Sequence, residues 1–227
     1  MAENAKYQDI ISSSLSECKT KKRAWLAIGI ILILLLIDQS IKFWVKTNMM
    51  LGDSIRVTDW FYIYFTENPG MAFGWEFIDK VFLTIFRIVA SVAIAWLITK
   101  VVKGEYSVGF LLCMVAIFAG AVGNIIDSVF YGKIFSHSYG RVATFMPSDG
   151  GYADLLHGKV VDMLYFPLIN TTWPEWIPWV GGNELVFFRP IFNFADACIS
   201  VGVIVLIIFY THPFSQLLNS LNKKHEE

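Results

Sequence analysis

Two aspartates far apart along the chain are the strongest candidates for chemistry. Asp162 follows Lys159-Val160-Val161, and Asp196 lies about one turn inside an apolar run. Two carboxylates held close together at low dielectric cannot both ionise easily, so one keeps its proton as an acid while the other accepts a proton from water. Such a pair can hydrolyse an amide bond without a metal or a covalent intermediate. Asp162 and Asp196 are therefore candidate catalytic residues, provided that the fold brings them together.

Other polar residues interrupt the long apolar runs, where each costs free energy and is a functional candidate by default. Counted at about 1.5 Å per residue, the carboxylates within or beside these runs fall in the outer half of a bilayer. Two amides lie next to them. The resulting polar layer contains Asp38, Asp127 and Asp196 together with Asn124 and Asn193.

Plain structural roles stay open for these residues. Asp38 and Lys42 are four residues apart on one helix face and can neutralise each other, which is the favoured interpretation of that pair. Asn124 can serve only as an interhelical hydrogen-bonding group. Asp127 can simply end a helix at the membrane surface. Arg87 is expected to extend its guanidinium to the surface or to pair with a loop carboxylate.

The composition indicates a membrane protein. Hydrophobic residues make up 56% of the chain and charged residues 16%, where a soluble domain carries about 25%. This excludes a disordered chain and a basic nucleic-acid-binding protein. A spanning helix needs about 20 mostly apolar residues. Four windows qualify, and lipid requires them to be helices: Ala24–Val45, Val81–Thr99, Tyr106–Ile126 and Pro190–Thr211.

Neither the cysteines nor the histidines have the spacing of a disulfide framework or a metal site. The residues are Cys18, Cys113 and Cys198, and His137, His157, His212 and His225. We therefore expect no metal and no other cofactor.

Lys and Arg residues beside the windows predict the orientation. They concentrate in residues 19–23, between the second and third windows, and in the C-terminal tail. Both termini are therefore expected in the cytoplasm, with the loops 47–80 and 127–190 outside. The predicted organisation is a cytoplasmic segment (1–23), one membrane domain (24–212) and a cytoplasmic tail (213–227).

The outer loops have distinct compositions. Residues Ser54 to Thr66 alternate and are rich in aromatic and β-branched side chains, which predicts a strand. Trp173 to Trp179 resembles an interfacial aromatic segment lying along the membrane surface. Tyr131 to Gly158 is rich in Gly and Ser, which predicts a mobile external loop.

Five short motifs resemble those of the lipoprotein signal peptidases (signal peptidase II). Asp38-Gln39-Ser40-Ile41-Lys42 is similar to D-Q-x-x-K, and Thr66 to Gly74 is similar to T-x-N-x-G-x-A-F-G. Gly123 to Asp127 is similar to G-N-x-x-D, Gly158 to Asp162 to G-x-V-V-D, and Phe192 to Asp196 to F-N-x-A-D. Each motif is weak alone, but five in order on four predicted spans are a strong signal, which covers about residues 24–212.

The resemblance implies an aspartyl endopeptidase of the bacterial inner (cytoplasmic) membrane, with its active site near the outer face. Its substrates are lipidated prolipoproteins, cleaved just before a diacylglyceryl-modified cysteine. The family fold implies an all-α membrane protein, with four transmembrane helices and a small extracytoplasmic β-cradle. Matched by motif, the catalytic pair is Asp162 and Asp196. The substrate-binding or supporting residues are Asp38, Lys42, Asn68, Gly70, Asn124, Asp127 and Asn193.

Two departures from the family pattern stand out. The family carries Arg directly after the aspartate of G-N-x-x-D, where this chain has Ser128. Candidate replacements are Lys133, Arg141 and Lys159. The family also joins G-N-x-x-D to V-V-D by a short turn, whereas here residues 128–161 intervene.

Two other functions stay open at this point. Intramembrane Asp and Lys groups also build the proton or ion relays of transporters. However, the ionisable residues lie near one face, and four spans without a repeat fit a carrier poorly. The other alternative is a non-catalytic membrane subunit. As partners we expect the lipidated substrate and membrane lipids but no nucleic acid, and we expect a monomer.

Overall fold

A computed structural model describes residues 2–69 and 80–222. The long helices are α1 (Ala2–Asn48), α2 (Lys80–Lys103), α3 (Val108–Ile126), α5 (Phe194–Phe209) and α6 (Thr211–Asn222). A π-helical turn, Asp127–Tyr131, and the short α4, Gly132–Ile134, extend α3. The strands are β1 (Ser54–Thr58), β2 (Phe61–Asn68), β3 (Val160–Tyr165), β4 (Ile169–Thr172), β5 (Glu184–Phe187) and β6 (Ile191–Phe192).

Three helical segments are long and apolar enough to cross a membrane, namely Ser13–Asn48, Lys80–Lys103 and Val108–Ile134. They confirm that the first three predicted windows are helical. The fourth candidate is α5 together with α6, which meet at a 90° bend. The predicted start at Pro190 is wrong, because the chain forms β6 before Asn193 caps α5 at Phe194.

Helix α3 lies at the centre of the bundle and contacts α1, α2 and α5. Its contact with α5 is close because glycines face the neighbouring helices. A Cβ on Gly120 would lie 2.3 Å from the carbonyl oxygen of Ala195, and one on Gly123 would lie 2.6 Å from Oδ2 of Asp38. Small residues of this kind let membrane helices approach closely. The close approach brings the polar residues of α1, α3 and α5 together.

Four strands form an antiparallel sheet in the order β1-β2-β3-β6. Thr66 pairs with Asp162, and Leu164 pairs with Phe192. Helix α5 begins directly after β6. The pairing of β3 with β6 therefore places Asp162 close to the first turn of α5. The single strand predicted for Ser54–Thr66 is wrong in detail: the chain turns at Asp59-Trp60 and forms a hairpin of β1 and β2.

Strands β4 and β5 form a separate hairpin, with residues 173–183 between them. Trp176 and Trp179 in this connection are almost fully exposed. An exposed tryptophan has an apolar ring with a polar edge, which suits the boundary between lipid and water. Interfacial placement of this segment stays a prediction.

The segment between α4 and β3, expected to be a mobile loop, folds back on its own start. Gly158 N donates to Ser128 O over 2.9 Å, and Tyr152 N donates to Phe135 O over 3.0 Å. A Cβ on Gly158 would lie 2.0 Å from the Asp127 carbonyl oxygen, so only glycine fits there. The hydrogen bonds at both ends make this segment an attached part of the fold rather than a free loop.

An ion-pair cluster, in which Lys46 and Glu67 are buried, also holds this segment to the sheet. The carboxylate of Glu67 on β2 contacts the ammonium groups of Lys46 on α1 and Lys159, and also accepts from Ser138. The Lys46 ammonium lies 4.8 Å from the ring centroid of Tyr152. Burial raises the pKa of Glu67, but the two ammonium groups outweigh it, so the pKa lies below its usual value.

Candidate active site

Asp196 is positioned by the start of α5. The Asn193 side chain accepts a hydrogen bond from Asp196 N over 2.9 Å, and the Asp196 carboxylate accepts from Asn193 N over 3.4 Å. This reciprocal capping box satisfies two backbone N–H groups that a helix N-terminus leaves without partners. It also holds the Asp196 carboxylate beside the helix end, where positive partial charge stabilises an anion.

Two asparagines connect Asp196 to Asp162. Asn193 Nδ2 donates to Asp162 Oδ1 over 2.6 Å and to Asn124 Oδ1 over 3.1 Å, and Asn124 Nδ2 donates to Asp196 Oδ1 over 2.7 Å. Lys42 Nζ also donates to Asn124 Oδ1 over 2.9 Å. Because an ammonium group can only donate, this contact turns the amide nitrogen of Asn124 towards Asp196.

The pKa of Asp162 reflects its surroundings on β3. Burial raises this pKa most, and the nearby negative charge of Asp196 raises it further. Hydrogen bonds from the side chains of Asn193 and Asn68 lower it, and the net value is about 7. At neutral pH, Asp162 therefore carries its proton for a substantial fraction of the time. Asp196 is only half-buried, which leaves a path for water.

Beneath this pair, Lys42 joins two further carboxylates. Its ammonium lies 3.0 Å from Asp38 Oδ2 and 2.9 Å from Asp127 Oδ2, and all three side chains are buried. Gln39 Nε2 donates to both carboxylates, and the hydroxyl of Tyr131 donates to Gln39 Oε1. Asp127 therefore does not end a helix at the surface, which corrects the structural alternative considered for it.

Each of these carboxylates also holds the residue that precedes a candidate catalytic aspartate. Asp127 Oδ2 accepts from Val161 N over 3.2 Å, one residue before Asp162. Asp38 Oδ1 accepts from Ala195 N over 3.0 Å, one residue before Asp196. The ion-paired group centred on Lys42 thus sets the relative position of β3 and α5.

The structure brings together eight of the predicted site residues within one hydrogen-bonded network. They are Asp38, Lys42, Asn68, Asn124, Asp127, Asp162, Asn193 and Asp196. Gly70 lies outside the described residues. Sequence reasoning assigned no role to Gln39 or Tyr131. Gln39 carried a detectable signal, since it is a second polar residue beside Asp38 inside an apolar run.

The suggested replacements for the missing arginine do not reach the pair. Lys159 binds Glu67, while Lys133 and Arg141 are exposed. The positive charge of Arg87 on α2 interacts with the negative charges of Asp196, Asp162 and Asp127; extension of its guanidinium to the surface or pairing with a loop carboxylate stays a prediction. The sequence carries one sign that this part of α2 faces other polar groups: Thr84, Arg87 and Ser91 are spaced three and four residues apart and so share one helix face.

Long apolar helices that enclose hydrogen-bonded carboxyls beside a small sheet define a multi-pass membrane protein suited to acid–base hydrolysis. The family model for signal peptidase (SPase) II matches residues 30–212. The chain therefore belongs to the signal peptidase II family and is a peptidase of the bacterial membrane. This membership favours the peptidase over the transport and subunit alternatives.

Curated relatives belong to the same family, and a solved structure shares the fold. The chain is 54% identical over 192 residues to the lipoprotein signal peptidase of Porphyromonas gingivalis, covering 84% of this chain and 85% of the relative. It is 38% identical over 195 residues to that of Amoebophilus asiaticus, covering 82% and 78%. A bacterial membrane enzyme solved by the in meso method at 1.9 Å shares its fold, with a TM-score of 0.56 at 24% identity, covering 82% of this chain and 93% of the other.

Proposed function

We propose that this protein removes the signal peptide of lipoprotein precursors by cleaving the bond before the lipid-modified cysteine, with Asp162 and Asp196 as the catalytic pair. The observation that carries this assignment is the amide bridge of Asn193 and Asn124 between the two carboxyls. The bridge holds both groups at one place on the rim of the helix bundle. Membership of the signal peptidase II family supports the choice of substrate.

The proposed reaction divides the work between the two carboxyls. Asp196, hydrogen-bonded at the start of α5, accepts a proton from a water molecule, which attacks the scissile carbonyl carbon. Asp162, whose pKa is raised to about 7, donates its proton as the tetrahedral intermediate collapses to the free amine. The products are a signal peptide with a new carboxyl group and a lipoprotein with an amino-terminal cysteine. At this point Asp196 holds the proton from water and Asp162 is ionised, and transfer of that proton from Asp196 to Asp162 restores the starting state.

A proposed site for the lipid lies next to β3. A groove of about 440 Å³ between α1 and the sheet is lined almost entirely by apolar side chains, among them Trp44, Ile63 and Met163. Met163 directly follows Asp162 on β3, so this groove reaches the strand that carries one of the two proposed catalytic residues. An acyl chain gains about 0.8 kcal/mol per CH₂ on leaving water, which keeps the modified cysteine at the membrane rim.

Lipid-dependent cleavage tests this function. We expect the purified protein to cut a lipobox peptide with a diacylglyceryl cysteine about a hundredfold faster than the same peptide with an unmodified cysteine, because anchoring raises the local concentration of the bond. Mass spectrometry should place the cut directly before the cysteine. Equal rates for both peptides, or a cut elsewhere, contradict the proposal.

We also propose four membrane spans, with the sheet forming a cradle on the outer side. Helix α5 has 16 residues and measures about 24 Å at 1.5 Å per residue, somewhat less than the hydrocarbon core. The 90° bend then lets α6 lie along the surface. Leu217 of α6 packs into the same cluster as Ala27 and Phe110, which anchors α6 to the bundle.

The proposed orientation puts both termini in the cytoplasm. We expect a membrane-impermeant maleimide to leave the exposed Cys18 unlabelled in intact cells and to label it after permeabilisation. A Tyr139→Cys variant in the C18S background places a thiol on the opposite side, at a residue that is 81% exposed, and should be labelled in intact cells. Labelling of Cys18 in intact cells would contradict this orientation and place the N-terminal segment outside the cell.

A further inference from the structure

The 128–161 segment reaches an exposed face of α1. The ring centroid of Phe145 lies 5.2 Å from that of Phe43 and 5.5 Å from that of Phe135. Phe135 is fully buried, whereas Phe43 on α1 is 41% exposed and Phe145 in the 128–161 segment is 47% exposed. The segment therefore joins its own apolar surface directly to an exposed ring of the first spanning helix.

Phe43 belongs to a lipid-facing stripe of α1. Leu32 and Leu36 lie eleven and seven residues earlier on the same helix face, and they are 61% and 70% exposed. All three residues fall within the apolar helix Ser13–Asn48, and Phe43 is roughly 8 Å from its end at 1.5 Å per residue. The stripe is distinct from the proposed lipid groove, since Phe43 is rotated about 100° around α1 from Trp44.

Two further apolar side chains lie next to Phe145 in the chain. Val142 is 40% exposed and Met146 is 67% exposed. Met146 has a φ of 51°, a left-handed backbone conformation that is uncommon for a residue other than glycine. Its N–H donates to the carbonyl oxygen of Ile134 over 2.7 Å, which holds this conformation in place. The fold thus keeps a long apolar side chain at the surface instead of burying it.

The charges around these residues suit a phospholipid surface. Residues 133–146 contain two exposed cations, Lys133 and Arg141, and no Asp or Glu. Phospholipid headgroups carry negatively charged phosphates, so cationic side chains beside apolar ones favour an interfacial position. The next acidic residue, Asp149, is exposed and comes three residues after Met146.

We propose that Val142, Phe145 and Met146 form an anchoring surface that inserts into the hydrocarbon edge of the membrane, in the leaflet on the side of the sheet. Lys133 and Arg141 then lie at the level of the lipid phosphates. Lipid is the occupant because the anchoring surface continues a stripe that already lies along a spanning helix. A second copy of this chain is the competing occupant, which the experiment below distinguishes.

Anchoring of this kind acts on the depth of the hydrogen-bonded carboxyls. The 128–161 segment is tied at its other end by the hydrogen bond from Gly158 N to Ser128 O, directly after Asp127. Lipid contact at the anchoring surface therefore sets the height of the Asp127 turn relative to the membrane surface. The inference concerns the membrane and not the reaction, so its failure leaves the proposed function intact.

The test places the full-length protein in vesicles of phosphatidylethanolamine and phosphatidylglycerol. Met146→Cys, in a C18S, C113A and C198A background, carries a fluorescent label that lipids brominated on their acyl chains quench. Inserted interfacial groups lie about 5–10 Å below the headgroup boundary, so we expect quenching about threefold stronger for M146C than for Asp149→Cys. Asp149 is the matched control, because it is exposed in the same segment.

Oxidation of the wild-type protein gives a second readout without any substitution. Met146 is 67% exposed in the protein alone, so under water a soluble oxidant should attack it nearly as fast as a free methionine peptide. Cover by lipid should slow formation of the sulfoxide about tenfold, because oxidation follows exposure. The rate is measured by mass spectrometry of peptides, with about one protein per vesicle so that contacts between copies are rare.

Strong quenching of the M146C label together with slow oxidation of Met146 supports the inference. Equal quenching of the M146C and D149C labels overturns it. Energy transfer between labels on two copies, without quenching by brominated lipid, assigns the surface to self-association and also overturns it. Where the cysteine variants fail to fold, the wild-type rate decides: oxidation as fast as the free peptide overturns the inference, and slow oxidation at one protein per vesicle supports it.

Discussion

Asp196→Asn is expected to lower kcat for the lipidated peptide by about 10³-fold or more. The amide cannot accept the proton of the attacking water, and a positioned general base contributes about 10²- to 10⁴-fold. The fold should persist, because Asp196 Oδ1 accepts from Asn124 Nδ2 and Oδ2 from Asn193 N, and the single asparagine oxygen can keep one of these two hydrogen bonds. Asp162→Asn should cause a loss of similar size, since an amide has no carboxyl proton to donate. Rates are measured on the purified variants by mass spectrometry.

The pH dependence gives this prediction a second readout. The pKa of Asp162 is about 7 in the folded protein and near 3.8 without these surroundings. Activity should therefore fall as the pH rises above about 7, because the pair loses the proton it shares. The folded state binds this proton more tightly than the unfolded state, so the contribution of Asp162 to stability decreases as the pH rises from about 4 to 7. That part of the pH dependence should vanish in D162N.

Asp59→Asn serves as the control for both variants. Asp59 is an exposed carboxyl paired with Arg56 in the turn between β1 and β2, away from the hydrogen-bonded network. It should keep wild-type kcat and the wild-type pH profile. Near-normal kcat in either D162N or D196N would remove that residue from the catalytic assignment.

Lys42→Met is expected to destabilise the protein by about 3–5 kcal/mol. The substitution leaves Asp38 and Asp127 buried without their shared cation, and breaking a buried ion pair from one side costs about this much. It should also lower activity, because these carboxylates hold the backbone before Asp162 and Asp196. The free energy of unfolding can be followed by denaturant titration in detergent micelles.

Lys21→Met is a matched control on the same helix. Lys21 and Glu17 also form an ion pair four residues apart, but both side chains are exposed, with relative accessibilities of 70% and 67%. Solvent screens such a pair, so its loss should leave stability almost unchanged. If K42M proves as stable as K21M, the ion-paired group is not what holds β3 against α5.

Much of the site was readable from the sequence because its signals are local or compositional. Apolar windows of about 20 residues predict spanning helices whatever their neighbours are. The Asp38–Lys42 contact follows from helical spacing alone, and it is present at 3.0 Å. The role of Asn193 as a helix cap was not predicted, although an asparagine three residues before an aspartate at the start of an apolar run is its sequence signal.

Other features depended on contacts between distant segments. The amide bridge joins residues 34 positions apart through the register of β3 against β6 and the packing of α3 on α5. The 128–161 segment looked mobile by composition, yet Glu67 and the backbone of residues 128–135 hold it in place. The alternating side chains of residues 54–66 predict one strand and not the hairpin that turns at Asp59-Trp60, because an alternating pattern does not show where a chain turns.

The amino-acid sequence by itself indicated which segments are apolar enough to enter a membrane, which residues form the polar layer and which two acids are candidates for chemistry. Only the tertiary structure decided that Asp162 and Asp196 share bridging amides and that Lys42 joins both supporting carboxylates. The physical reason is the distance along the chain over which each kind of interaction acts. Burial and helical spacing act over a few neighbouring residues, whereas strand register and the packing of helices at glycine contacts place groups that the sequence keeps far apart.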